Sequence, residues 1–147
     1  MNSAADLEHF LHAQIPLTVA MGVHVTECDD TRLVLTAPLA PNRNHLQTAF
    51  GGSLHTLATL SGYSLLWWLL REPHAHIVIR ESTIVYEKPV RGDLRAVCLA
   101  PPPREMERFR ENLARKGKAR ISLESKIEHD SAVAARFRGV FVAFKQE

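Results

Sequence analysis

From Gly51 to Leu70 the chain carries no Lys, Arg, Asp or Glu, and that gap constrains its fold more than any other feature. A helix on a protein surface keeps a charged face opposite its apolar stripe. Here Leu54, Leu57, Ala58, Leu65, Trp68 and Leu69 recur at three- and four-residue spacing, while the opposite face offers only Ser, Thr, Gly and His55. Such a helix has to be covered on nearly every side, by protein or by lipid. It is long enough to cross a bilayer, which takes roughly twenty residues. However, Ser53, Thr56, Thr59, Ser61 and Ser64 dilute it, and no second apolar segment accompanies it. A core helix wrapped by a sheet is therefore expected, with no membrane association.

Two glycines open this helix. Gly51 and Gly52 let another chain or a ligand come close to the backbone. They also leave first-turn amides, unpaired in any helix, free to meet negative charge.

Around the helix the sequence alternates. Ala4 to Gln14 reads as an amphipathic helix ending before Pro16. Gly22 to Asp29 and Arg32 to Ala37 read as a hairpin turned at Asp29-Asp30. After Glu72-Pro73 a strand rich in β-branched residues runs from His76 to Val90. Within it Ile77 and Ile79 share one parity and Ile84 and Tyr86 the other, which predicts a bulge near Glu81 or Ser82. Leu94 to Ala100 is the next strand. Arg104 to Lys116 is a helix, acidic at its start and basic at its end as the dipole prefers, stopping at Gly117. Ala119, Ile121, Leu123 and Ile127 mark a half-buried strand, and Ala132 to Phe144 the last one. Antiparallel strands curled around one apolar helix make an α+β fold, of which the hot-dog fold is the best-known form. The length, 147 residues, suits one domain over 1–147.

Composition excludes several roles. A net charge of +2 gives no support for nucleic-acid binding. Cys28 and Cys98 fall in strands with no CxxC or Cys/His cluster, as buried thiols of a cytoplasmic protein do. The start, MNSAADLEHFLHAQIP, lacks the apolar region of a signal peptide. No metal-spaced set and no dinucleotide or P-loop glycine pattern is present, so neither metal nor cofactor is expected.

Asn44-His45, Thr48 through Leu54 and Leu57-Ala58-Thr59-Leu60 resemble the YiiD C-terminal-type thioesterases of the hot-dog superfamily. Tyr86, Pro89-Val90, Gly92-Asp93, Lys116 to Ile121 and Gly139 to Ala143 fit the same pattern, so the resemblance spans nearly the whole chain. It implies a homodimer, or a dimer of dimers, whose sheets join edge to edge with two sites at the interface. Its implied substrates are thioesters of coenzyme A or acyl carrier protein. PaaI-like relatives usually read His-Gly-Gly and then Leu-Ala-Asp or Leu-Ala-Glu, the acid serving as base or nucleophile. This chain has Phe50 in place of that His and Thr59 in place of the carboxylate. Gln47 stands where the YiiD-type loop commonly has a glycine.

Hydrolysis of a thioester needs donors for the developing oxyanion, and the Gly51 and Gly52 amides supply them. The competing reading is that two glycines only permit close packing. Asn44 either donates its amide to the carbonyl or the attacking water, or caps its loop. Thr59, on a face near that of Gly52, either orients a water or bonds the preceding turn. Those four form the expected catalytic set. His45, Phe50 and Ser82 are expected to bind substrate, as are Arg115, Lys116 and Lys118, whose charges suit coenzyme A phosphates or an acidic carrier protein. A solvated helix terminus explains that basic cluster equally well. The general base stays open among Glu81, Ser82, His45 and His55, with His45 slightly ahead of His55. An apolar tunnel beside Leu54, Tyr63 and Trp67 or Trp68 is expected to hold the acyl chain. A non-catalytic acyl-thioester binder is the main alternative. A hydroxyacyl thioester dehydratase is the other, and it requires a facing His and carboxylate.

Overall fold

The uncharged stretch Gly51–Leu70 forms one unbroken helix, α3. Before it come α1 (Ala4–Gln14), α2 (Leu17–Met21), β1 (His24–Cys28) and β2 (Arg32–Ala37). After it come β3 (Ala75–Tyr86), β4 (Leu94–Leu99), α4 (Pro103–Lys116), β5 (Lys118–His129) and β6 (Ala132–Lys145). The computed structural model describes residues 2–146. All six strands form one antiparallel sheet in the order β1-β2-β4-β5-β6-β3. The sheet wraps α3, so that Leu54, Leu57, Leu65 and Leu66 share a core with Leu33, Leu35, Leu94, Leu123, Ile127 and Phe141. This is the hot-dog arrangement. No described helix is long and apolar enough to cross a membrane.

Two boundaries differ from the sequence reading by more than one residue. β1 begins at His24, because Leu17–Met21 forms the short helix α2, closed by Gly22 at φ 74. A side chain on Gly22 would stand 2.9 Å from Pro38, so the left-handed backbone and the close approach both require glycine there. β3 stops at Tyr86 instead of running to Val90. Pro89 has no N–H for the ladder, and the Val90 carbonyl accepts from the Ala49 amide at 2.8 Å.

Inside, α3 meets the sheet closely at two places. A Cβ on Gly62 would lie 2.7 Å from the Phe141 ring. One residue earlier, the buried hydroxyls of Ser61 and Ser125 are 2.7 Å apart, so a polar pair sits satisfied in the core.

One side of α3 is not covered by the chain's own sheet. Gly52 is exposed, and His55, Thr56, Thr59 and Tyr63 are half-buried along the same stripe. β3 is one edge of the sheet, and Val78, Ile79, Val85 and Tyr86 lie exposed on it.

Candidate active site

The loop before α3 is a small hairpin closed by a bridge between Arg43 and Ala49. The Gln47 amide donates to the Asn44 carbonyl at 3.2 Å, and the Asn44 amide to the Thr48 carbonyl at 2.7 Å. Gln47 is left-handed, with φ 63. A type I turn followed by a left-handed residue favours glycine at that last position, which accounts for the glycine common in this loop. The Asn44 side chain holds the turn. Its Oδ1 accepts from the Leu46 and Thr48 amides at 2.8 and 3.2 Å, and its Nδ2 donates to Thr48 Oγ1 at 2.9 Å. His45 is exposed at the tip. Sequence reasoning passed over Asn42. It is buried, and its Nδ2 donates to the Met21 and Pro38 carbonyls, tying the loop to α2.

At the start of α3 the Phe50 carbonyl accepts from the amides of Ser53 and Leu54 at 2.9 and 3.1 Å. The amides of Gly51 and Gly52 have no acceptor among the described residues. Each glycine also faces an aromatic ring. A Cβ on Gly52 would lie 2.4 Å from the Phe50 ring, and one on Gly51 would lie 3.3 Å from the Tyr86 ring. Two open amides thus sit between two aromatic walls. The Tyr86 hydroxyl donates to the Gly51 carbonyl at 2.8 Å. Burial pushes the Tyr86 phenol up from its ordinary range, so it remains a donor at neutral pH.

The contacts of Ser82 and Tyr86 with α3 depend on the bulge in β3. Ile79 pairs with Phe141 and Glu81 with Val140, leaving Arg80 as the extra residue. Sequence parity placed the bulge near Glu81 or Ser82, and Arg80 adjoins the first of these. With the extra residue, Ser82, Ile84 and Tyr86 face α3, while Glu81, Thr83 and Val85 take the outer face. Ser82 Oγ then lies 2.9 Å from His55 Nε2. The His55 ring also meets the Phe137 ring edge-on, with centroids 5.7 Å apart. One turn further along, the Thr59 hydroxyl donates to the His55 carbonyl at 2.9 Å. The helix phase of His55 and the shifted parity of Ser82 were each legible, but their pairing was not.

A cavity of about 320 Å³ adjoins Gly51, walled by Ala49, Leu54, Tyr86, Pro89 and Val90 together with the charged Glu87 and Lys88. Tyr63 and Trp67 are elsewhere: they pack on one another, and Trp67 on Phe10 of α1 at 5.2 Å between centroids. Trp68 donates its indole N–H to Asp30 at 3.1 Å. A larger concavity, about 620 Å³, lies on the outer face of the sheet. Its lining mixes Arg32, Lys126 and Arg138 with Glu105, Glu124 and Glu128, and it contains no residue of α3.

Arg115, Lys116 and Lys118 are exposed at the other end of the protomer. Lys118 pairs with Phe144, which also pairs with His76 near the start of β3. Tyr86, beside Gly51, is the last residue of β3. The length of α3, about 30 Å, separates the basic cluster from the two glycines within one chain. Neither cysteine reaches the site: burial pushes Cys98 up to about 11, and burial together with Asp29 and Asp30 pushes Cys28 up to about 12.

The family described as "Putative thioesterase (yiiD_Cterm)" matches residues 4–145. Among solved structures, a protein of unknown function from Chlorobaculum tepidum is similar with a TM-score of 0.91 at 34% identity, over 97% of this chain and 94% of that one. A Shewanella oneidensis protein described as a "putative thioesterase" gives a TM-score of 0.81 at 29% identity over 96% of both chains. A Pseudomonas aeruginosa protein described as a "Probable Thioesterase" shares the fold with a TM-score of 0.84, at 22% identity over 99% of both chains.

Proposed function

This chain belongs to the YiiD C-terminal-type thioesterase family, and on that premise we propose that it hydrolyses acyl thioesters of coenzyme A or acyl carrier protein at the start of α3. The observation that carries this reading is the pair of amides at Gly51 and Gly52 without an acceptor among the described residues, at the positive end of a long helix and, at Gly51, beside a cavity. When water attacks the carbonyl carbon, the carbonyl oxygen gains charge that these N–H groups hold. One such donor is typically worth about 3 kcal/mol in the transition state. Asn44 keeps one amide proton beyond the one it gives to Thr48, and Thr59 keeps its lone pairs. The two position the reactants from opposing subunits.

A second copy of the chain completes the site. The open edge of β3, with Val78, Ile79, Val85 and Tyr86 exposed beside the half-open stripe of α3, supports pairing edge to edge. An antiparallel two-fold pairing runs the second β3 in reverse. It brings the Arg115, Lys116 and Lys118 of that copy to the end of the joint sheet that carries Gly51. There they meet the phosphates of coenzyme A or the acidic face of a carrier protein.

The test is thiol release from a panel of acyl-coenzyme A thioesters, short to long and aryl, with Asn44→Ala and Thr59→Ala beside the wild type. Release that falls in both variants, with each still folded and melting cooperatively, supports this site. Release unaffected by either refutes its placement. One observation favours a second reading: the open stripe of α3 carries no carboxylate. A protein that binds acyl thioesters without cleaving them would melt higher with ligand and release no thiol.

A further inference from the structure

We propose that His55 is the general base of this hydrolysis and that Ser82 positions it, an assignment that rests on the hydrolase reading above. His55 lies on the half-open stripe of α3, three residues past Gly52 and so one turn from the open amides. Its Nε2 is 2.9 Å from Ser82 Oγ, and its Nδ1 has no partner among the described residues. With Nε2–H donated to Ser82, the lone pair of Nδ1 is free to take a proton, the usual way one ring nitrogen sets the role of the other. The Phe137 ring, edge-on at 5.7 Å, holds the imidazole from the core side.

The bulge at Arg80 makes this contact. In a regular strand Ser82 would share the parity of His76 and Val78 and face away from α3. An extra residue disrupts the ladder locally, and bulges of this kind re-aim side chains beside active sites. The other candidates are directed elsewhere. Glu81 takes the outer face, His45 is exposed at a loop tip, and the Thr59 proton is committed to the His55 carbonyl.

The step balances without a co-reactant. Nδ1 removes a proton from water as the water oxygen bonds to the carbonyl carbon, and the Gly51 and Gly52 amides hold the oxyanion. The oxyanion collapses, the C–S bond breaks, and the imidazolium returns its proton to the leaving thiolate. Acid and thiol are released, and His55 is neutral again.

Thiol release is measured on the acyl-coenzyme A thioester that the wild type cleaves fastest. His55→Ala and His55→Gln are expected to lose about 10²- to 10⁴-fold in kcat with little change in KM. Added imidazole is expected to restore part of the His55→Ala rate and nothing in His55→Gln, which fills the space. Ser82→Ala is expected to lose about tenfold in kcat, while Ser82→Thr, which keeps the hydroxyl, stays near wild type. Thermal melts confirm that each variant is folded. Release persisting in folded His55→Ala overturns this assignment alone. So does an acyl group found on Ser82 by mass spectrometry, since Ser82 would then be a nucleophile. A wild type that releases no thiol from any thioester overturns the hydrolase reading and this assignment with it.

Discussion

β3 and β5 are both twelve-residue strands of one sheet, yet they are built to opposite rules. β5 lies between β4 and β6, and its side chains alternate from buried Ala119, Ile121 and Leu123 to exposed Arg120 and Glu124. β3 has β6 on one side only, carries an extra residue, and from Val78 onward buries nothing more than half of Ile84. A one-residue slip in β5 would turn Ile121, Leu123 and Ile127 out of the core, with two neighbours resisting it. In β3 only one neighbour has to accommodate the extra residue. The chain therefore re-aims polar side chains onto α3 at this edge, whereas the extra residue of the interior strands, Ala134 in β6, lies near the turn between β5 and β6. The candidate site lies where the sheet is least constrained.

Single-residue deletions test this contrast most severely. Removing Ser122 from β5 is expected to abolish folding, seen as loss of the far-ultraviolet spectrum and the cooperative melt. Removing Arg80 from β3 is expected to leave a folded protein. It takes out the unpaired residue while the pairs from Glu81 to Tyr86 with β6 survive, so Ser82 and Tyr86 keep facing α3 and thiol release is expected to persist. A folded Ser122 deletion, or an unfolded Arg80 deletion, would break the comparison. Substitutions probe the same difference more gently. Phe141→Ala, buried between α3 and the sheet, is expected to cost about 3–5 kcal/mol in denaturant unfolding. Val85→Ala on the β3 edge is expected to cost less, within about 1 kcal/mol.

The interior of β5 gives two smaller tests. Ser61→Ala leaves the Ser125 hydroxyl without its partner on α3, at a cost of about 1–3 kcal/mol. Adding Ser125→Ala removes the orphan, so the double variant is expected to be more stable than the single one. The last effect concerns pH. Burial pushes the Cys98 thiol, on β4 opposite Ser125, from 9.0 up to about 11. Above pH 9 the unfolded thiol ionises while the folded one does not, so the unfolded state holds fewer protons and stability falls as pH rises. The loss is about 1 kcal/mol at pH 10, and Cys98→Ala is expected to remove that part of the alkaline slope in urea unfolding.

Much of this was legible in the sequence, for identifiable reasons. α3 was readable because charge is absent from every face, and α4 because its charges follow the dipole and Gly117 ends it at φ 73. β5 was readable from strict alternation. The bulge in β3 was expected from the parity change between Ile79 and Ile84. Parity could place it only near Glu81 or Ser82, because Arg80 to Thr83 is polar throughout and gives parity nothing to register. α2 left no signal, since five residues are too few to show a helical period. Asn44 and Gly51 were identifiable by type, but the Tyr86 hydroxyl on the Gly51 carbonyl joins residues 35 positions apart. The contact of His55 with Ser82 likewise spans 27 positions. Such contacts follow from how a helix docks on a strand, which one-dimensional periodicity does not encode.

The open edge of β3 also bears on how catalytic competence is inherited. When Asn44 of one copy and Thr59 of the other meet in each site, no single chain owns a complete set. If the proposed dimer forms, Asn44→Ala and Thr59→Ala chains, each expected to be inactive alone, are expected to complement one another once dissociated and mixed. Half of the reassembled pairs are hybrids, each with one whole site and one doubly defective, so activity returns to about a quarter of wild type. Two damaged copies of the gene in one cell would together support the reaction, and the unit on which selection acts is the pair.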